Sequence, residues 1–137
     1  MIEQGKTRGE IIEQTGNVVA VRGVSFDMKK KETFVIMGLS GSGKSTLIRT
    51  INRLIDATSG EIYVDGEDIN KMDRETLRQK RRYSMSMVFQ HFGLLPHRNV
   101  VNNVEFGLEI GGMDKDERRQ KAMDAIKLVG LKGYEFA

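Results

Sequence analysis

The pattern of apolar and polar positions changes along the chain, from short apolar runs to apolar residues at helical spacing. Residues 17–21 and 24–28 are mostly apolar, with Arg22-Gly23 between them, which predicts an antiparallel hairpin. Residues 33–37 (TFVIM) form a continuous apolar run and predict a strand buried on both faces. The first part of the chain is therefore predicted to contain several strands.

Helical patterns flank these predicted strands. The segment GEIIEQ predicts a short helix that ends at Gly16. After Gly43, apolar residues recur at helical spacing and predict an amphipathic helix that ends around Gly60. Its apolar stripe consists of Leu47, Ile48, Ile51, Leu54 and Ile55.

A second hairpin is predicted at Asp65-Gly66, because this dipeptide is a strong turn signal and follows the strand-like run EIYV. The polar segment 73–82 favours a helix, and residues 86–89 (SMVF) are the next strand candidate.

Two further helices are predicted towards the end of the chain. The first has Asn99 as a candidate N-cap. Its apolar positions are Val100, Val104 and Leu108. The second begins at Asp114, where Glu117 resembles the partner of a capping box, and stops at Gly130. Its apolar positions are Ala122, Ile126 and Val129. An α/β region followed by an α-helical region is the expected architecture.

The composition is that of an ordinary globular chain. Of the 137 residues, 39% are hydrophobic and 30% are charged, which suits one domain with a core. There is no cysteine for a disulfide or a thiolate metal site, which fits a reducing cytosolic setting but does not establish one. No apolar run approaches the roughly 20 residues that span a bilayer, and the N-terminus lacks the apolar core of a signal peptide.

The net charge of +3 is compatible with an anionic ligand but too small to predict nucleic-acid binding. Two basic clusters, Lys29–Lys31 and Lys80–Arg82, have two interpretations each. They are either a solvated turn and a solvated helix face, or contacts for phosphates or a membrane surface.

The segment MGLSGSGKST contains the motif with the clearest chemistry. It matches G-x-x-x-x-G-K-[ST] between a predicted buried strand and a predicted amphipathic helix, which is the context that the motif requires. Glycines allow backbone N–H groups to converge on a phosphate, and the helix start adds partial positive charge. The predicted nucleotide-binding residues are Gly38, Ser40, Gly41, Ser42, Gly43, Lys44, Ser45 and Thr46.

Three side chains of this motif have separate predicted roles. Lys44 can reach the β- and γ-phosphates, the Ser45 hydroxyl is a hard ligand for Mg²⁺, and Thr46 can approach the α-phosphate. The loop therefore predicts binding of a nucleoside triphosphate.

The flanking sequence resembles the ATPase subunit of ATP-binding-cassette (ABC) transporters, from about Thr15 onward. The segments that carry this resemblance are 32–69 and 86–110. More narrowly, IMGLSGSGKST, NRLI and VFQHFGLLPH resemble importer subunits for quaternary amines such as glycine betaine, choline or proline. The resemblance implies a P-loop NTPase core of the ABC type, with an N-terminal antiparallel β-subdomain and the start of a helical subdomain.

The resemblance also implies cofactors and partners. Gln90 and Ser45 would both contact Mg²⁺, and Gln90 would also contact the attacking water. The loop that contains Gln90 would couple nucleotide state to the membrane subunits. The loop Gln90–Val104 would face a transmembrane permease. Phe92, Leu94 and Leu95 would either contact the permease or pack in a core. ATP, a second ATPase subunit, and a position on the cytoplasmic face of the cell membrane are implied as well.

The sequence departs from the family pattern at several points. It ends at Ala137, before the family's signature motif, catalytic acids and switch histidine, so the truncated domain is expected to bind Mg-nucleotide weakly and hydrolyse it little by itself. Thr15 stands where an aromatic residue usually stacks on adenine, and Lys31 stands where a glycine is common. The apolar edge of strand 33–37 is expected to favour self-association.

The expected organisation is a partial ABC ATPase domain. It comprises an N-terminal extension (1–16), a β-subdomain and phosphate-loop core (17–98) and the start of a helical subdomain (99–137). The expected function is ATP binding and hydrolysis coupled to uptake of a quaternary amine or osmolyte such as glycine betaine or proline. Two alternatives stay open: a non-hydrolysing, nucleotide-binding or self-associating fragment, and a non-transport ABC ATPase. The second would act on nucleic acid, a partner that only the stretch RQKRR supports.

Overall fold

The computed structural model describes residues 5–89 and 93–137. The chain divides into two compact units, Met1–Arg78 and Gln79–Ala137. The first unit contains the phosphate-loop segment and a small hairpin, and the second contains a pair of packed helices.

Helix α1 (Arg8–Thr15) begins at a complete capping box. The Thr7 hydroxyl accepts from the Glu10 N–H, and the Glu10 carboxylate accepts from the Thr7 N–H. These bonds satisfy donors that have no partner inside a helix. The helix ends where the sequence predicted, at Gly16, which has a left-handed φ of 68°.

Helix α2 (Lys44–Ile51) ends earlier than the sequence predicted. Arg53 has a positive φ of 50°, which interrupts a right-handed helix. Its guanidinium donates to the carbonyl oxygens of Ile69 and Met72, at 2.9 and 2.7 Å, around a short 3-10 helix (Ile69–Lys71). No residue of α2 is buried, so the predicted stripe does not form a buried face within the described residues.

The hairpin predicted at Asp65-Gly66 is confirmed. Strands β1 (Tyr63–Val64) and β2 (Glu67–Asp68) pair antiparallel, with Tyr63 opposite Asp68. The two turn residues have φ of 53° and 81°, as a type I′ turn requires.

Four segments predicted as strands form none in the described part of the chain. These segments are 17–21, 24–28, 33–37 and 86–89. A strand exists only through hydrogen bonds to a neighbour, and the described residues provide no such ladder for them. Their apolar side chains are largely exposed, to 86% at Met37 and 95% at Val88. The predicted hairpin at 17–28 and the doubly buried strand at 33–37 are therefore wrong.

Segments 24–28 and 33–37 nevertheless lie side by side. The rings of Phe26 and Phe34 stack with centroids 4.6 Å apart and planes 9° from parallel. The turn between them is closed by the Glu32 N–H, which donates to the Lys29 carbonyl at 3.1 Å. Lys31 has a φ of 66° in this turn, a region that favours glycine. A glycine at the Lys31 position would adopt this φ without strain.

Replacing Lys31 with glycine is expected to stabilise the chain by about 1 kcal/mol. A side chain in the left-handed region costs roughly 1–2 kcal/mol, and the larger unfolded-state entropy of glycine offsets part of the gain. Urea unfolding measures the difference. Lys30→Gly is the matched control and should lower stability, because Lys30 has no positive φ to relieve. Equal destabilisation by both substitutions would contradict this prediction.

Helix α3 (Arg74–Tyr83) forms where the sequence predicted and buries Leu77. Helices α4 (Val100–Ile110) and α5 (Lys115–Leu128) follow, with the predicted N-caps Asn99 and Asp114, but the capping box predicted with Glu117 does not form: the Glu117 carboxylate pairs with Lys121. The Asn99 side chain caps α4, and the Asp114 carboxylate accepts two backbone N–H bonds at the start of α5, which lowers the pKa of Asp114. No helix in the described part of the chain is long and apolar enough to cross a membrane.

The two last helices pack through a small apolar core of Val101, Ala122 and Ile126. The α5 face agrees with the prediction at Ala122 and Ile126. In α4 the buried position is Val101, whereas the predicted Val104 is 40% exposed. The buried face of α4 is thus displaced by one residue from the predicted one.

An ionic cluster joins the same two helices. Glu105 is only 4% exposed and lies on the buried face of α4, one turn after Val101. Its carboxylate is 2.6 Å from Arg119 Nε and 3.7 Å from Arg118 Nε, both on α5. Neither Glu105 Oε1 nor Arg118 Nε makes an aligned hydrogen bond within the described residues, so the contact is mainly electrostatic.

Candidate nucleotide-binding site

The lysine of the phosphate loop is folded back onto the loop. Lys44 Nζ donates to the carbonyl oxygens of Gly38 and Leu39, both at 2.7 Å, and to Ser42 Oγ at 3.4 Å. The loop therefore already curls around one positive charge. A phosphate oxygen would be a stronger acceptor for this ammonium group than a neutral carbonyl, because it carries charge.

Gly43 joins the loop to α2 under two constraints. Its φ is +93°, which side chains rarely adopt. A Cβ atom at this position would lie 2.4 Å from the Ala20 carbonyl oxygen and 3.2 Å from Val21 Cγ2. Only a residue without a side chain allows the segment 17–21 to approach the loop this closely.

The start of α2 supplies further donors. The first N–H groups of a helix have no partner inside it, and the N-cap Gly43 has no side chain to cap them. The first bond of the helix is from the Leu47 N–H to the Gly43 carbonyl, at 2.8 Å. The N–H groups of Lys44, Ser45 and Thr46 are thus left for an anionic ligand, which the helix dipole also favours.

A cavity of about 190 Å³ opens beside the loop. It is lined by the predicted residues Gly41 to Thr46 and by Arg8, Val18 and Ala20. Of the other predicted residues, Gly38 contributes the carbonyl that holds Lys44, and Ser40 is exposed and does not line the cavity. Sequence reasoning missed Arg8, because no local pattern shows which part of the chain α1 approaches.

Gln90, which was predicted to contact Mg²⁺ with Ser45, lies outside the described residues, as do His91 and Phe92. Ser45 is exposed beside Lys44 in the cavity. The described residues contain no group of three or more His, Cys, Asp or Glu side chains that could hold a metal ion.

The loop that follows Gln90 is held by Asn103 on α4. Asn103 Oδ1 accepts from the Leu95 N–H at 2.7 Å, and its Nδ2 donates to the carbonyls of Leu95, Arg98 and Asn99. Every polar atom of the Asn103 amide is thereby used to fix this loop.

Arg98 supports the same loop from its other end. It donates to Glu109 Oε2 at 2.6 Å, and its guanidinium lies 5.0 Å from the centroid of the Phe106 ring. The hydrogen bond from Arg98 holds the pKa of Glu109 below its usual range.

A second cavity, of about 270 Å³, lies between this loop and α4 within the second unit. Leu94, Leu95, Val100 and Val104 give it a largely apolar lining. Leu94 is 74% exposed and does not pack in a core of the described residues, whereas Leu95 is half-buried.

A glycine-rich loop that closes on a lysine at the start of a helix defines the class of phosphate-loop proteins. The chain matches the family described as ABC transporter over residues 21–136. It therefore belongs to the ABC transporter family.

Its relatives include ATP-binding proteins of several transport systems. The glycine betaine transport ATP-binding protein OpuAA of Bacillus subtilis (strain 168) is 54% identical over 98% of this chain and 32% of its own length. The glycine betaine/carnitine transport ATP-binding protein GbuA of Listeria monocytogenes (strain 10403S) is 52% identical over 98% of this chain and 34% of its own. The chain thus spans about a third of the length of these relatives.

Solved structures of MJ0796 share the fold. The dimeric structure of this bacterial ABC transporter cassette has a TM-score of 0.78 and 36% identity, over 85% of this chain and 52% of that one. A post-hydrolysis state of MJ0796 bound to ADP and Pi gives a TM-score of 0.77. The predicted fold class, a P-loop core of the ABC ATPase type, is confirmed by this likeness, although the strands predicted at 17–28, 33–37 and 86–89 do not form in the described residues.

Proposed function

We propose that this chain is part of the ATP-binding subunit of an ABC importer and that its phosphate loop binds ATP with Mg²⁺. The observation that carries the proposal is the loop geometry: Lys44 donates to three loop oxygens and lines a cavity together with the other residues of 41–46. On binding, the triphosphate replaces the loop carbonyls as the acceptor for Lys44, and the first N–H groups of α2 donate to it.

Magnesium fits the residues present. The Ser45 hydroxyl is a hard oxygen ligand in the same cavity as Lys44, and Mg²⁺ is usually held by one or two protein oxygens together with phosphates and water. Gln90 is the second protein ligand in this proposal. When bound, the ion neutralises phosphate charge, which assists phosphoryl transfer.

The proposed cargo is a quaternary amine or osmolyte such as glycine betaine or proline. OpuAA, GbuA and ProV, which are named for glycine betaine, carnitine and proline betaine transport, support it at 48–54% identity. TmoW, named for trimethylamine N-oxide transport, has 49–52% identity, and MetN, named for methionine import, has 46–49%. The relatives with the highest identities are named for amine or amine-oxide transport, which supports the amine class. The differences in identity among them are too narrow to favour one particular solute.

The proposed partners are a transmembrane permease and a second ATPase subunit, at the cytoplasmic face of the membrane. The permease would contact the loop from Gln90 to Val104, where Leu94 is exposed beside an apolar cavity. The dimeric MJ0796 cassettes support pairing of two subunits.

Lys44→Ala is the test of nucleotide binding. It is expected to weaken Mg-ATP binding about 10- to 100-fold, because a charge-assisted hydrogen bond contributes roughly 1.5–3 kcal/mol. Isothermal titration calorimetry of the chain with Mg-ATP measures the loss. Lys30→Ala is the matched control, since Lys30 is exposed and does not line the cavity. Equal affinities of parent and Lys44→Ala would refute the proposed role of the loop.

A further inference from the structure

The cavity beside the phosphate loop has a second wall that the loop motif does not account for. Arg8, Val18 and Ala20 form it and line the cavity together with the loop residues Gly41 to Thr46. The loop lysine, hydroxyls and N–H groups are suited to the phosphates. The wall is different in kind, because it combines two small apolar side chains with a guanidinium group.

A nucleoside triphosphate also has a base, whose flat faces are poorly hydrated and stack on planar groups. Among the residues that line the cavity, only Arg8 has a planar side-chain group. Thr15 is no alternative, because it is absent from the lining and its hydroxyl is committed to the backbone. This hydroxyl donates to the Ile11 carbonyl at 2.7 Å and accepts from the Asn17 N–H at 3.1 Å.

Arg8 is held beside the cavity by the structure around α1. It occupies the first turn of the helix, directly after the Thr7 capping box. Ile11 anchors the helix at 5% exposure, and Arg22 donates to the Lys6 carbonyl at 2.9 Å, which ties the start of α1 to the segment that lines the cavity. The guanidinium has no hydrogen bond or ion pair to another described residue that would hold it away from a ligand.

We infer that Arg8 is a nucleotide-binding residue whose guanidinium plane stacks on the base of the bound nucleoside triphosphate. An arginine plane stacks on aromatic rings, whereas a lysine offers only a point charge. The inference rests on the proposed nucleotide binding and adds the residue that recognises the base. The 190 Å³ cavity is smaller than pockets that enclose whole ligands, so the base is expected to lie partly open to solvent over Arg8.

The experiment separates base binding from phosphate binding. The chain and its variants are titrated with Mg-ATP and with Mg-tripolyphosphate, which has the phosphates but no base. Arg8→Ala and Arg8→Lys are expected to weaken ATP binding about tenfold, and to leave tripolyphosphate binding within about twofold. Arg8→Tyr is expected to restore ATP binding, since it supplies a plane without the charge. Arg74→Ala is the charge-matched control and should change neither affinity, because exposed Arg74 does not line the cavity.

Three results would overturn the inference while leaving the proposed function intact. They are unchanged ATP affinity in Arg8→Ala, an equal loss of tripolyphosphate affinity, and a parent chain that binds tripolyphosphate as tightly as ATP. Failure of Arg8→Tyr to recover ATP binding would also overturn the stacking role. If the parent bound neither ligand, or if Lys44→Ala changed neither affinity, the proposed function would fail and the inference with it.

Discussion

Replacing Gly43 with alanine is expected to abolish nucleotide binding, with a loss beyond about 100-fold in affinity. The added Cβ would lie 2.4 Å from the Ala20 carbonyl oxygen, a backbone atom that cannot rotate away. The φ of +93° adds a cost of about 1–2 kcal/mol for any side chain. The loop and the segment 17–21 must therefore separate, and the cavity between them changes shape. Calorimetry with Mg-ATP measures the binding, and urea unfolding measures the accompanying loss of stability.

Gly41→Ala is the matched control for this prediction. Gly41 also has a positive φ, +76°, but a Cβ there would meet no atom within 4 Å. It thus shares the backbone strain without the clash, and its effect on affinity is expected to be at least tenfold smaller than that of Gly43→Ala. Similar losses in the two variants would show that strain, rather than contact with Ala20, governs the loop.

Replacing Glu105 with alanine is expected to destabilise the second unit by about 2–4 kcal/mol. Removing one member of a buried ion pair costs roughly 3–5 kcal/mol, since the remaining charge is left without its partner. The expected loss is somewhat smaller here, because the Arg118 and Arg119 side chains remain 21% and 38% exposed and water can reach them. Urea unfolding followed by circular dichroism measures the change.

An exposed pair on α5 provides the control. Glu117 and Lys121 lie 2.7 Å apart with side chains 57% and 53% exposed. Exposed pairs contribute at most about 1 kcal/mol, so Glu117→Ala should cost far less than Glu105→Ala. If the two substitutions cost the same, the cluster around Glu105 would not be what holds α4 against α5.

Local signals in the sequence predicted the parts of this fold that depend on a few consecutive residues. The caps at Asn99 and Asp114, the turn at Asp65-Gly66 and the helix end at Gly16 each depend on bonds or dihedral angles within about four positions. The phosphate loop is local in the same sense, and its family resemblance extends through the match over residues 21–136.

Two features depended on distant neighbours. The strands predicted at 17–28, 33–37 and 86–89 do not form, because an apolar run does not specify which chain segment supplies its hydrogen bonds. The buried face of α4 was predicted one residue out of register, since both Val100 and Val101 are apolar. The presence of Arg118 and Arg119 opposite Glu105 favours the Val101 face.

The sequence by itself determined the family, the phosphate-loop motif and the positions of the helix caps, because each of these depends on contiguous residues. Only the tertiary structure decided that Ala20 requires glycine at position 43 and that Glu105 is buried between two arginines. It alone also decided that Arg8 completes the cavity beside the loop. Each of these contacts joins residues from separate elements, and their proximity is set by packing, which no local pattern encodes.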